Sequence, residues 1–457
     1  MSVRDHDTRT AARRGIIPPF SGTKVSTMNA SEIRAKYEQY LYGLATYYKE
    51  ALPLVRGEGK WLYDADGKKY LDFFGGIVTV GLGHCDPRVV KAIETQARTL
   101  QHVSTLFPTV PIVELAETLA GLFPGEKPAK VFFTNSGTEA IETAILTARL
   151  HTQRTEIVGL RHAYHGRSML AMSLTAHAPW RLGGVQDGHI RHAVAPYCYR
   201  CPLKLEYPEC GVACAQDVEE VIKTTTSGRP AAFIAEPIMG VGGFITPPQE
   251  YPGIVAEIVR RYEALYIADE VQTGWGRTGG KWFGIEQYGV KPDIIVAAKS
   301  LGNGHPIGAT VARAEVADSF KGLTIATFGG NPVTMAAAKA VVDAITADRL
   351  MDNATVVGGH LRKRLDALGE KHKMVGEVRG MGLMQGVELV KDRATKEPAP
   401  AAATAVLEAA KDRGLIVGKG GLYGNVLRIS PALNIAATDV DQAADVLDQA
   451  LATAATA

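Results

Sequence analysis

Short apolar runs of strand length recur through the middle of the chain. Each closes on a polar or glycine-rich turn, and a helical pattern follows. Val131-Phe132-Phe133 gives way to Thr134-Asn135-Ser136-Gly137 and then to helix spacing over 138–149. The run 156–160 ends before 161–166, 231–235 before Glu236-Pro237, 264–268 before Asp269-Glu270, and 293–298 before Lys299. Buried runs alternating with helices predict a mostly parallel sheet covered on both faces. Ligands of such sheets sit outside the carboxyl ends of the strands, which is where these polar residues fall.

The flanks read differently. Residues 61–71 form a hairpin pattern around Asp64-Ala65-Asp66-Gly67, with Asp-Gly as the turn signal. From about Asp348 an amphipathic helix pattern covers 356–368 and a helix-like stretch covers 404–413. Strand-like pieces fall at 384–390, 415–417 and 426–429. The expected organisation is α/β: a large domain over 86–347 with the mostly parallel sheet, and a smaller α+β domain over 348–457. Residues 31–85 would join the small domain, and 1–30 would be a flexible leader.

Composition narrows the function classes. The 457 residues are 46% hydrophobic and 21% charged, as in ordinary globular chains. Fifty basic and 48 acidic residues leave a net charge of +2, which gives no polyelectrolyte case for nucleic acid or an anionic membrane. No apolar stretch is long enough to span a bilayer. The first 30 residues carry Arg4, Arg9, Arg13 and Arg14 but lack the apolar core of a secretory signal, and Asp5 and Asp7 count against an organelle presequence. Five cysteines do not make a disulfide scaffold, so a reducing, cytoplasmic setting is expected.

Three strand ends carry the candidate chemistry. The first is Asn135-Ser136-Gly137-Thr138-Glu139-Ala140. It is either a helix N-terminus built to hold an anion or an ordinary helix capped by Ser136 or Thr138. The second is Asp269, a carboxylate closing a buried strand. It needs a cationic partner, either a protonated pyridine nitrogen or a structural ion pair. The third is Lys299, closing Ile294-Ile295-Val296-Ala297-Ala298. Buried, its pKa falls and it suits a Schiff-base nucleophile; otherwise it snorkels at a strand end.

Taken in order, these segments resemble the class III pyridoxal-phosphate aminotransferases. The resemblance rests on Ser-Gly-Thr-Glu-Ala (136–140), Tyr164-His165-Gly166, Glu236-Pro237-Ile238, Asp269-Glu270-Val271-Gln272-Thr273-Gly274, Lys299, and Thr327-Phe328-Gly329-Gly330-Asn331-Pro332. It runs from about Tyr63 to the C-terminal segment. It implies the fold-type I scaffold, pyridoxal 5'-phosphate as cofactor and a homodimer or dimer of dimers. It also implies roles. Lys299 holds the cofactor as a Schiff base and shuttles the proton. Asp269 keeps the pyridine nitrogen protonated. Ser136, Gly137 and Thr138 hold the phosphate, and Tyr164 stacks on the ring. Gln272 reaches the phenolic oxygen. Glu236 belongs to the surrounding hydrogen-bond network, or is an ion-paired loop residue. Thr327 reaches the phosphate of the neighbouring subunit. His165 reads as structural.

The resemblance also bears on substrate. Leu427-Arg428-Ile429-Ser430-Pro431 is similar to the family's carboxylate-binding arginine segment; a domain-interface ion pair is the other reading of Arg428. Members acting on 4-aminobutyrate or ornithine commonly carry a glutamate where Val241 stands, and that glutamate draws the arginine aside. Its absence implies an Arg428 available to an α-carboxylate. The segments 72–85 and 414–420 resemble alanine–glyoxylate aminotransferases of this class, with Ile77 as a pocket residue. The expected reaction moves an amino group from alanine or a short β-amino acid, such as 3-amino-2-methylpropanoate, to glyoxylate or pyruvate by ping-pong kinetics. The alternatives are an ω-amino acid transaminase of 4-aminobutyrate-like or taurine-like donors, an aminomutase or decarboxylating transaminase, and an inactive scaffold.

One segment lies outside this reading. Cys198, Cys201, Cys210 and Cys214 have the spacing C-x2-C-x8-C-x3-C, open to zinc, a disulfide or free thiols. No metal is assigned to the catalytic site.

Overall fold

A computed structural model describes residues 28–43, 46–183 and 186–455. The backbone divides into two compact units, 1–44 and 45–457. In the first, the helix Ala30–Tyr40 starts at a reciprocal cap, in which the Asn29 side chain accepts from the Glu32 N–H and Glu32 accepts from the Asn29 N–H. Most of the expected leader, residues 1–27, lies outside the described residues.

The second unit contains three sheets. The central one has seven strands: β1 (Ala129–Thr134), β2 (Ile157–Leu160), β3 (Ile190–Ala193), β4 (Ala232–Ala235), β5 (Leu265–Asp269), β6 (Ile294–Ala298) and β7 (Gly308–Arg313). Their order is β1-β7-β6-β5-β4-β2-β3. Strands β2 to β6 pair in parallel, and β7 runs antiparallel to both β6 and β1. Strands β1, β2, β4, β5 and β6 therefore point the same way and bring their carboxyl ends to one edge.

Successive residues of these strands enter different cores, because side chains alternate across a sheet. Ile294 and Val296 join Leu265, Ile267 and Ile234 beneath the helix Gly137–Thr152. Ile295 and Ala297 join Tyr266, Ala268 and Phe233 beneath the helices Ala213–Thr225 and Tyr251–Arg261. Burial on both faces is why the sequence shows continuous apolar runs rather than alternation. Two strands escaped that signal. Edge strand β3 reads Ile-Arg-His-Ala, and antiparallel β7 reads Gly-Ala-Thr-Val-Ala-Arg; neither is a clean apolar run.

The hairpin forms from Trp61–Asp64 and Lys69–Asp72. Gly67 adopts φ +83 at its turn, while the Asp64 carboxylate accepts from the N–H groups of Asp66 and Lys68. Leu54–Glu58 extends it on one side, and Leu415–Ile416 pairs in parallel with Lys69–Asp72 on the other. The third sheet comprises Val375–Met381, Met384–Asp392, Val426–Ile429 and Gly418–Gly420, with Glu397–Pro398 alongside. The helices Leu350–Lys371 and Pro400–Asp412 accompany it; the first is longer at both ends than its apolar stripe suggests. Among the described residues no helix is long and apolar enough to cross a membrane.

All five cysteines are free. Cys198, Cys201, Cys210 and Cys214 line one small cavity of about 20 Å³. Among the described residues no three metal-binding side chains are placed to hold an ion, so the zinc spacing is not assembled, nor is a disulfide formed. Burial raises the Cys198 thiol and lifts that of Cys214 to about 12, which keeps both protonated.

Candidate active site

The carboxyl edge of the central sheet opens into a cavity of about 370 Å³. Ser136, Gly137, Thr138, Tyr164, Glu236, Asp269, Gln272 and Lys299 all line it, so strand ends far apart in sequence converge. Lys299 follows β6 directly and takes φ +48, in the left-handed region that side chains rarely adopt. Its surroundings fix that conformation. The Ser300 hydroxyl donates to the Val78 carbonyl at 3.0 Å. The Asn303 side chain accepts from the Leu82 N–H and donates to the Gly83 carbonyl. Backbone strain held in place by its surroundings clusters at functional sites.

The Lys299 amine faces the cavity. Burial lowers its pKa to about 8, against the opposing charges of Asp269 and Glu236 and with that of Arg428. Asp269 closes β5; its Oδ1 accepts from the Val271 N–H at 3.1 Å and its Oδ2 lies 2.7 Å from His165 Nδ1. His165 is fully buried. Burial works against its charge, but the Asp269 hydrogen bond and carboxylate outweigh that and raise its pKa. Glu236 accepts from the N–H groups of Tyr164 (2.9 Å) and Gly240 (2.8 Å). Burial first, and then Asp269, lift its pKa to about 7.

The other end of the cavity is the start of the helix Gly137–Thr152. Ser136 caps it, accepting from the Glu139 N–H at 3.2 Å, and the Asn135 N–H donates to Glu139. The capped-helix reading of Ser136 thus coexists with a cavity position. The first-turn N–H groups of Gly137 and Thr138 lack intrahelical acceptors by construction and line the cavity. A Cβ at Gly137 would press on Val271 at 3.2 Å, and one at Gly166 would meet the Thr138 hydroxyl at 2.5 Å. Tyr164 is braced edge-on by Trp180, with ring centres 5.6 Å apart.

Three expected residues stand apart from the lining. Arg428 is buried in the third sheet and reaches the cavity wall through Gln272, its Nη2 donating to Oε1 at 2.6 Å. Ile77 is 45% exposed in a tight turn at φ +68, and Thr79, two residues on, lines the cavity instead. Thr327 is exposed and outside the lining of its own chain's cavity. Sequence reading missed the contact of His165 with Asp269, and also Thr79, Val271 and His305 in the lining. His165 carried a signal, since it directly follows Tyr164; His305, in Gly-Asn-Gly-His-Pro after Lys299, carried only a weak one.

The sequence profile described as Aminotransferase class-III matches residues 45–451. The chain belongs to this family. An Arabidopsis thaliana relative, alanine–glyoxylate aminotransferase 2 homolog 2, mitochondrial, is 39% identical over 454 residues, 98% of this chain and 93% of that protein. A leucine/methionine racemase of Thermococcus litoralis is also 39% identical, over 93% of this chain and 96% of its own length. Among solved structures, an (S)-enantioselective omega-transaminase from Thermomicrobium roseum superimposes with a TM-score of 0.85 at 37% identity, over 94% of this chain and 99% of that one. The protein is a class III transaminase of the fold-type I architecture, dependent on pyridoxal phosphate.

The cavity's donor set fits that cofactor. Its lining supplies a buried amine with depressed basicity for a carbonyl, a carboxylate at a strand end for a ring nitrogen, and a helix N-terminus for a phosphate.

Proposed function

We propose that this transaminase takes the amino group of alanine or a short β-amino acid and passes it to glyoxylate or pyruvate. The observation that carries the reading is Arg428, a guanidinium buried beside the cavity whose hydrogen bonds go to the Gln272 amide and to Tyr47 rather than to a carboxylate. Such a cation is expensive unless an anion completes it, and a donor carboxylate does so. The similarity to the Arabidopsis alanine–glyoxylate aminotransferase homolog supports the choice of donor and acceptor.

Bound pyridoxal phosphate supplies an electron sink for the bond broken at the donor's Cα. The protein's residues do the rest. Lys299 Nζ holds the cofactor covalently at rest and, once released, takes the proton from the donor's Cα; a pKa of about 8 leaves it basic yet readily neutral. Asp269 would hold a proton on the ring nitrogen, and His165, 2.7 Å from its Oδ2, aims that carboxylate. The N–H groups of Gly137 and Thr138, with Ser136 beside them, hold the phosphate. Tyr164 would stack against the ring, and Glu236 anchors the Tyr164 and Gly240 backbones. Gln272, which lines the cavity, would offer its amide N–H to the phenolic oxygen. Thr327, exposed in its own chain, completes the phosphate site of a second copy, so the working unit is a homodimer or dimer of dimers. A reducing, cytoplasmic setting belongs to the same proposal, since five cysteines in 457 residues do not make a disulfide scaffold.

The racemase relative supports a second reading on the same residues, because removing the Cα proton and returning it to the other face needs no amino acceptor. Incubating the enzyme with single donors, with and without glyoxylate or pyruvate, separates the two. Pyruvate formed from alanine in step with new glycine when glyoxylate is the acceptor, and the oxo acid of a β-amino donor formed in step with new alanine when pyruvate is, are the expected results. Loss of optical activity with no oxo acid would establish the racemase. Transfer from ω-amino donors but not from alanine would move the assignment to that class.

A further inference from the structure

The surroundings of Arg428 point to how donor specificity is set. Its guanidinium lies over the Phe244 ring at 4.7 Å and the Phe74 ring at 5.4 Å. Nη2 donates to Gln272 Oε1 at 2.6 Å, while Nε is buried without a hydrogen-bond partner. A guanidinium only donates, so the Gln272 oxygen must face it, which leaves the Gln272 NH₂ free for another acceptor. The contact is tightly seated. A Cβ on Gly240 would lie 2.2 to 2.4 Å from the Gln272 amide, and one on Gly420 would lie 2.6 Å from Arg428 Cδ. The Gly240 N–H is itself held by Glu236 at 2.8 Å.

We propose that Gln272 is a neutral latch that sets donor specificity. It holds the Arg428 guanidinium against the cavity and yields it to the carboxylate of a small amino monocarboxylate. Gly240 is the notch that admits the latch. A carboxylate offers two oxygens where the amide offers one, and it carries the charge the guanidinium lacks, so the exchange favours the substrate. A charged residue in the latch position would compete for the same fork. The inference rests on the transaminase reading given above and names the substrate class of the same site.

Propanoate, which carries the carboxylate but no amine, probes the latch without turnover. Calorimetric titration of propanoate into the holoenzyme should give an affinity weakened by about tenfold or more in Gln272→Glu, because a carboxylate now occupies the fork. In Gln272→Ala, which removes the competitor, propanoate should bind as tightly as in wild type or tighter. A Gln272 that serves only the cofactor or local packing would make both variants weaken together, or leave propanoate binding unmoved; either result overturns the latch. Should the wild type bind propanoate with this pattern yet transfer no amino group, the latch stands and the transaminase reading of the donor falls.

Discussion

The protein buries two clusters of charge, and they are built on opposite principles. In the third sheet, Glu388 is fully buried and takes Arg379 at 2.6 Å, Arg200, the Tyr197 hydroxyl and the Asn425 amide; Arg379 also holds Glu377 and donates to the Gly243 carbonyl at 2.9 Å. Burial opposes both charges there, yet each partner outweighs it: the Glu388 pKa falls and the Arg379 pKa rises. At the carboxyl edge of the central sheet the shifts run the other way. Burial drives Lys299 down to about 8, lifts Glu236 to about 7 and lowers Arg428. In the first cluster each carboxylate faces a guanidinium. In the second, Arg428 has only neutral hydrogen-bond partners and Glu236 accepts only from backbone N–H groups, which leaves charge for a ligand to complete.

That contrast is broken most sharply at Lys299. Lys299→Ala should lower transamination by about 10²–10⁴-fold, the range for loss of a positioned proton-transfer group, while the circular dichroism spectrum and elution volume stay those of wild type. Added methylamine restoring part of the rate would confirm that the missing element is a base, whereas a variant that no longer folds would show the lysine to be structural. Glu388→Ala should do the reverse. It strands Arg379 and Arg200 in the interior and should cost about 3–5 kcal/mol in urea unfolding, with kcat per bound cofactor within about threefold of wild type. A large fall in kcat with unchanged stability would place Glu388 in the catalytic machinery and erase the distinction between the clusters.

The legible parts of the site share a cause. A buried parallel strand is written as a run of apolar residues, so the first polar residue after it stands out; Asp269, Lys299 and Glu236 were visible for that reason. Partners fixed by long-range packing leave no such mark. His165 lies 104 residues from Asp269 in the chain, and Gln272 lies 156 residues from Arg428. Ile77 was drawn toward the pocket by its neighbours in sequence, but the left-handed turn over 75–78 points it outward and presents Thr79. The antiparallel strand β7 was lost because Gly308 must be small: a Cβ there would lie 2.2 Å from the Ser136 carbonyl. The Glu388 cluster had no sequence signal, since its members come from four segments that meet only in the folded chain.

The smallest expected effect is the most selective test of the incomplete cluster. In cofactor-free protein the Lys299 amine titrates near 8 when folded and near its ordinary 10.5 when unfolded. Between those values the unfolded chain binds a proton that the folded chain does not, so stability rises with pH across the window. Below about 8 both states are protonated, and the whole penalty for burying the cation is present. Lys299→Met removes that penalty and should stabilise the apoprotein by about 1–3 kcal/mol at pH 7. The advantage should shrink as pH climbs from 8 toward 10.5. Urea midpoints measured at pH 7, 8.5 and 10 read the trend directly. A gain that is the same at all three values would come from the packing of the methionine, and the amine could then not be described as a buried cation waiting for a carbonyl. A gain that fades with pH ties the instability of this edge to one unfinished charge, the same charge whose removal should slow transamination by about 10²–10⁴-fold.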